Sequence, residues 1–369
     1  MGCSCSTGRA TQATAAQARG QAPVAAAPVA SAAPASAAAP AGSLLQGAAA
    51  GTGGKQQAAP KAPAVQFFGE FPGLDAFPYS DAEVVDAKDL AWLKKTCLER
   101  GHGGFSIQDG KAYFKKESTD ACIKQLADAP TATFFASPHR DGSAYVRVKV
   151  VSYNMLWEAI AGQASEASAA RLHGASGLVA SAKPDLIGLQ ECEDITHVLR
   201  EGGLAGDFEA IQGPHGLATA FRSADWSLLA EGAAEVAVDE VKAFRSARSV
   251  HWARLQHRQT GKVVLFLNHQ GPLGVNSGGR GGSHSTALAI MNCASENHVV
   301  GDKIILLGDF RATASSETVR CLEHAYPKAF SGTAQGGVDH VFSTLHAVHR
   351  EAKSAGGSDH DLLSVTFVA

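Results

Sequence analysis

The sequence has no apolar run approaching the ~18 residues of a membrane-spanning helix, which excludes that kind of anchor. Its seven cysteines (Cys3, Cys5, Cys97, Cys122, Cys192, Cys293 and Cys321) contain no Cys-x-x-Cys pair and are too scattered for a disulfide framework. A reduced, intracellular protein without structural zinc is expected. Residues 1–66 have no aromatic residue and neither Asp nor Glu, but contain 24 alanines and six of the 14 prolines. A segment without large apolar side chains cannot bury enough surface to offset the entropy of ordering its backbone. Residues 1–66 are therefore read as a disordered Ala/Pro-rich tail with charge +4, from Arg9, Arg19, Lys55 and Lys61. The other 303 of the 369 residues hold 28 Lys+Arg against 35 Asp+Glu, a charge of −7 that argues against nucleic-acid binding by bulk charge.

The tail opens Met1-Gly2-Cys3-Ser4-Cys5-Ser6, which fits the pattern for myristoylation at Gly2. One myristoyl chain holds a membrane only marginally, and Cys3 and Cys5 could supply a second, palmitoyl-type signal. The expected address is the cytoplasmic face of a membrane, held by N-terminal acyl chains. A plastid or the soluble cytoplasm is the alternative, since the Ala/Ser-rich, acid-free composition also suits a transit peptide.

Residues 67–143 regain aromatics and charge and read as a small helix-hairpin-helix module. A helix is predicted over 86–100, with Leu90, Leu93 and Cys97 on its apolar face and Trp92 off it. Asp109-Gly110 between two alternating runs predicts a hairpin. A second helix is predicted over 119–126, and Cys97 and Cys122 are expected to be buried thiols rather than a bridge.

From residue 144 apolar runs end abruptly in polar residues. Strands are predicted over 146–154, 185–191, 217–221, 251–255, 262–267, 303–307, 338–342 and 362–367, with helices over 165–182 and 286–300. Interleaved strands and helices make this domain, 144–369, α/β or α+β, with the polar strand ends along one rim. Each polar end has an ordinary account alone: Asn154 as a helix cap, His269 as a core histidine, Glu191 as a solvated loop residue. Together they offer four carboxylates, an asparagine and two histidines. Phosphoryl chemistry uses that inventory: hard oxygen ligands for Mg²⁺ or Mn²⁺, a group that prepares water, and donors for the phosphate charge.

The ordered motifs Ser152-Tyr153-Asn154, Leu189-Gln190-Glu191, Asn268-His269, Gly308-Asp309-Phe310, Val338-Asp339-His340-Val341-Phe342 and Ser358-Asp359-His360 resemble the endonuclease/exonuclease/phosphatase superfamily, the DNase I-like domain. The resemblance implies a four-layer sandwich of two mixed β-sheets flanked by helices, here preceded by the tail and the small module. It implies a Mg²⁺-dependent (or Mn²⁺-dependent) hydrolase of phosphate esters, of phosphodiesterase, phosphatase or nuclease type. Glu191 would hold the metal with Asn154 and Asp359. His269, Asp309, Asp339 and His360 would be catalytic, with Asp339 orienting His360 and His269 touching the scissile phosphate. Asn154 and Arg311 would contact a substrate that is a lipid head group, a nucleotide or a nucleic acid, and the protein is expected to be a monomer.

Two subclasses match less well. Inositol polyphosphate 5-phosphatases carry a Gly-Asp-x-Asn-x-Arg element that Gly308-Asp309-Phe310-Arg311-Ala312 does not follow, and abasic-site endonucleases place Asp where this chain has Leu156. The superfamily also places an asparagine where Arg311 stands. Arginine accepts no hydrogen bond and brings a permanent charge. Arg311 could clamp phosphate, or it could fill the cation's space, pair with Asp309 or Glu191, and leave a catalytically impaired phosphate-binding scaffold. The Gly-rich stretch 276–282 is not a Walker loop, lacking Gly-Lys-[Ser/Thr]. Arg248 and Arg245 are assigned by default to a solvated face.

Overall fold

The computed structural model describes residues 68–76, 81–139, 142–156, 166–240, 247–354 and 356–369. The acylation-type opening, the tail and Arg245 lie outside the described residues. The described residues all belong to one compact unit.

The first sheet is antiparallel and has five strands: β1 (Gly69–Ala76), β2 (Asp81–Asp86), β3 (Gly104–Gln108), β4 (Lys111–Lys115) and β5 (Leu126–Ala136), in the order β1-β5-β3-β4-β2. Asp109 and Gly110 take φ of 50° and 73°, the turn that the β3–β4 hairpin requires. Helix α1 (Leu90–Glu99) starts later than its periodicity predicts, because Asp86 belongs to β2 and the Asp89 side chain caps the backbone N–H groups of Ala91 and Trp92. Leu93 and Cys97 are buried as predicted, but Leu90 is exposed. Helix α2 is Thr119–Lys124. Cys97 and Cys122 are free and buried, and burial pushes their thiols up to about 11 and about 12. Apolar side chains of this sheet, among them Phe71, Leu74 and Phe134, share a cluster with Tyr145, Val348 and Val368.

Two further sheets have six strands each. One contains β6 (Arg147–Asn154), β7 (Leu186–Gln190), β8 (Phe208–Gln212), β9 (Ala218–Arg222), β16 (His346–Lys353) and β17 (Leu362–Val368), in the order β16-β17-β6-β7-β9-β8. The other contains β10 (Trp226–Val238), β11 (Ala247–His257), β12 (Val263–Gln270), β13 (Lys303–Asp309), β14 (Lys328–Ser331) and β15 (Asp339–Ser343), in the order β10-β11-β12-β13-β15-β14. Each is mixed, with one parallel pair at its centre: β6 with β7, and β12 with β13.

Strand alternation divides the apolar side chains between two faces. Val148, Val150, Leu186 and Val365 of one sheet meet Phe266, Ile305, Leu307 and Val341 of the other in a core between the sheets. The opposite faces bury against helices. Ile187 and Leu189 pack on α3 (Glu166–Ser181) and α4 (Ile195–Glu201), and Leu265, Leu306 and Phe342 pack on α5 (Gly282–Asn297) and α6 (Glu317–Ala325). The result is the four-layer α/β sandwich that the sequence resemblance implies.

The sheets approach closely at Gly188, where an added Cβ would lie 2.4 Å from Leu307 Cδ1. Just beyond it, amides replace aliphatics. Gln190 Nε2 donates to Asn268 Oδ1 at 2.7 Å, and Asn268 Nδ2 donates to the carbonyls of Leu189 (2.8 Å) and Ala218 (2.9 Å). These fully buried amides tie one sheet to the other and form the floor of the polar rim.

Candidate functional site

The rim gathers its residues by strand direction. β6, β7, β12 and β13 end there, being parallel in pairs, whereas β15 and β17 run antiparallel to β13 and β6 and begin there. Asn154 and Asp309 close β6 and β13, Glu191 follows β7, Asp339 opens β15 opposite Asp309, and His360 precedes β17.

One cluster centres on two carboxylates. Asn154 Nδ2 donates to Glu191 Oε1 and to Asp309 Oδ2, both at 3.0 Å. Gln270 Nε2 donates to the same Glu191 oxygen at 2.7 Å, and Arg311 Nη2 donates to it at 2.9 Å. Arg311 Nε lies 2.8 Å from Asp309 Oδ2, a charge contact without hydrogen-bond alignment. The Arg311 backbone N–H donates to Asp309 Oδ1 at 2.9 Å. Asp309 is fully buried and Arg311 half-buried. Burial opposes the guanidinium charge, but Asp309 and Glu191 outweigh it and raise the Arg311 pKa further. Glu191 and Arg311 both have left-handed backbones, with φ of 51° and 48°. Such a conformation costs a non-glycine residue about 1–2 kcal/mol and is kept where surrounding contacts impose it.

A second cluster is the His360–Asp339 pair. His360 Nδ1 donates to Asp339 Oδ2 at 2.9 Å, and both side chains are almost wholly buried. Ligand atoms of Asp309, Asp339 and His360 lie within 4.8 Å of one another. Burial alone would lower the His360 pKa, but the hydrogen bond and charge of Asp339 raise it. Burial raises Asp339 to about 6. The bond to Asp339 fixes which nitrogen faces outward, leaving Nε2 for a ligand or water.

The remaining predicted residues, His269 and Asp359, border these clusters without a side-chain hydrogen bond to them among the described residues. His269 is fully buried. Strand alternation turns it to the face opposite Asn268 and Gln270, where its ring packs edge-on against Phe310. Its Nδ1 donates to the Ser249 carbonyl at 2.8 Å, and burial lowers its pKa to about 4. Neutral and bonded through Nδ1, it therefore presents Nε2 as an acceptor and not as a donor, with no hydrogen-bond partner among the described residues. Asp359 is half-exposed; its Oδ2 accepts from Gln335 Nε2 at 2.6 Å, and its Oδ1 lies 3.9 Å from His360 Nε2. Arg248 is buried, not solvated: it forms a bidentate pair with buried Asp239, at 3.0 and 2.9 Å.

Sequence reasoning missed Gln270, although its position two residues beyond Asn268 on one strand face would have flagged it. It also missed Asp361, whose Oδ2 accepts from the backbone N–H groups of Thr333 and Ala334 at 2.7 and 2.9 Å.

At Glu191 and Asn154 the arrangement does not fit the divalent cation that the resemblance implies. Asp309, Asp339 and His360 do place three ligand atoms within 4.8 Å of one another, but Arg311 Nε already lies 2.8 Å from Asp309 Oδ2. Mg²⁺ and Mn²⁺ need free oxygen ligands. Here Glu191 Oε1 accepts from three donors, and Asn154 turns its amide nitrogen toward the carboxylates. Asn154 Oδ1, the atom a cation would use, accepts from the Leu156 N–H at 2.9 Å. Rotating the amide would set an oxygen against two carboxylates.

No family model matches the sequence, and no curated protein matches it. Among solved structures, an endonuclease/exonuclease/phosphatase protein from Bacteroides vulgatus aligns at 18% identity over 60% of this chain and 98% of that one, with a TM-score of 0.49. A mannosyl-6-phosphatase from Bacteroides thetaiotaomicron aligns at 16% identity over 60% of this chain and 100% of its own, with a TM-score of 0.47. The human Nocturnin catalytic domain, solved with a bound sulfate, aligns at 15% identity over 62% and 98%, with a TM-score of 0.47.

Proposed function

We propose that this rim binds and hydrolyses phosphate esters. The observation that carries the reading is the buried Asp339–His360 pair with Asp309 beside it at the strand ends. Asp339 holds His360 through Nδ1, so that Nε2 is the atom available to substrate. In its neutral form His360 takes a proton from an attacking water at Nε2 as oxygen adds to phosphorus and the ester P–O bond breaks. Arg311 supplies positive charge for the phosphate oxygens. Lipid head group, nucleotide and nucleic acid all present this chemistry.

The contacts of Arg311 with Glu191 and Asp309 favour a second reading, a scaffold that binds the phosphate group without cleaving it. Turnover of p-nitrophenyl phosphate and bis-p-nitrophenyl phosphate separates the two. The hydrolase reading expects release that falls by about a hundredfold or more in His360→Ala, the usual worth of a positioned acid or base. Phosphate binding without any release would establish the scaffold. We also propose that Gly2, Cys3 and Cys5 carry acyl chains that hold the chain at a membrane, where phosphorylated head groups are concentrated.

A further inference from the structure

We infer that Arg311 is the resident cation of this site, standing where the sequence resemblance places a divalent metal, and that the chain engages an anionic phosphate group through this guanidinium with no metal bound. The inference rests on the phosphate-ester reading for its ligand, but not for its statement about metal.

Three observations carry it. The first is charge placement. One guanidinium touches Glu191 Oε1 at 2.9 Å and Asp309 Oδ2 at 2.8 Å, so a single positive group answers both carboxylates. A divalent ion seeking the same oxygens would meet three N–H donors and a permanent positive charge.

The second is that the arginine is aimed, not loosely docked. Its backbone carbonyl accepts from the Asn276 N–H at 2.8 Å, and its own N–H is held by Asp309 Oδ1. Asn276 Oδ1 in turn accepts from the Thr313 N–H at 2.7 Å, so Asn276, in the loop after β12, clamps the segment at Arg311 and just beyond it. Glu191 and Arg311 both hold left-handed backbones, and their side chains meet at 2.9 Å.

The third is an unused donor. Nη1 makes no hydrogen bond among the described residues, and the side chain is 25% exposed. Arginine recognises phosphate by offering such N–H groups in a planar fork. The guanidinium can therefore keep its carboxylate contacts and still meet a ligand.

Asparagine is the informative replacement, because it accepts a left-handed backbone more readily than most residues. Manganese binding to the full chain would be measured by electron paramagnetic resonance and calorimetry for wild type, Arg311→Asn and Arg311→Asn/Glu191→Gln. Wild type should show no stoichiometric Mn²⁺ site up to about 1 mM. Arg311→Asn should gain one site, at least tenfold tighter, that Glu191→Gln removes again. With EDTA present, wild type should bind inorganic phosphate and Arg311→Asn should bind it at least tenfold more weakly. Arg311→Lys, which keeps the charge, should gain no manganese site and guards against a misfolded asparagine variant. Any stoichiometric wild-type Mn²⁺ site, whether or not Glu191→Gln abolishes it, would overturn the inference, as would wild-type phosphate binding that requires a divalent ion. The manganese arm needs no substrate. Absence of turnover would count against the hydrolase reading and leave the assignment of Arg311 to be decided by manganese.

Discussion

At the scale of single residues, three buried histidines carry opposite electrostatic signatures. His269 and His340 each have their pKa lowered to about 4, first by burial. His340 bonds the Ser331 hydroxyl and the Ala312 carbonyl, both at 2.7 Å, and no carboxylate among the described residues is hydrogen-bonded to it. His360 is raised because Asp339 is hydrogen-bonded to it. The linkage signs follow. Stability from the two neutral histidines is present above the unfolded value of about 6.5 and is lost as pH falls through 6.5 toward about 4. Stability from His360 is present below about 6.5 and is lost as pH rises through its raised folded value. In imidazole NMR titrations, His360 should therefore remain protonated above pH 6.5 while His269 and His340 stay neutral down to about 4. Asp339→Asn leaves burial as the main influence on His360 and should drop its midpoint below about 6.5. An unmoved midpoint would show that Asp339 does not hold it.

At the scale of elements, the central parallel strands decide where chemistry can sit. Gly308, next to last in β13, shows how tightly they are set: its φ is 148°, and an added Cβ would lie 1.9 Å from the His269 carbonyl oxygen of β12. Gly308→Ala must therefore part β12 from β13. It should destabilise the fold by about 3 kcal/mol or more, read as a lowered denaturation midpoint. A midpoint within error of wild type would mean the strands have slack there. This scale also shows what the sequence made legible. Long alternating or apolar runs such as 146–154 and 303–307 announced their strands, and the polar residues closing them announced the rim. Strands β1, β2, β5, β8, β10, β14 and β16 were not legible, because pairing more than hydrophobic pattern defines them. Side-chain direction was the harder quantity. Asn268-His269 reads as one motif, yet alternation sends its two side chains to opposite faces and gives the rim Gln270 instead. The backbone turns at Glu191 and Arg311 could not be read either, since neither residue type favours a positive φ.

At the scale of the whole molecule, the net charge of −3 is the sum of a +4 tail and a −7 remainder. The two invite different surroundings, since a basic tail is drawn to an anionic membrane surface that repels an acidic body. An acyl tether would hold the body near such a surface despite that repulsion. Gly2→Ala should then release the chain into the soluble fraction on membrane flotation, whereas co-flotation equal to wild type would sink the acylation proposal.

The two large sheets follow the same rule of assembly. Each reads, from one edge to the other, as two antiparallel pairings, one parallel pairing and two antiparallel pairings. The scaffold thus approaches a twofold symmetry of strand direction that its terminal residues break. Where β6 and β7 finish, the chain sets Asn154 and Glu191; where β12 and β13 finish, it sets Gln270, Asp309 and Arg311. Equivalent frames end in unequal chemistry, one half contributing an acid and an amide, the other an acid, an amide and a cation. A single exchange at a strand tip can therefore redefine what the rim attracts while both frames stay as they are.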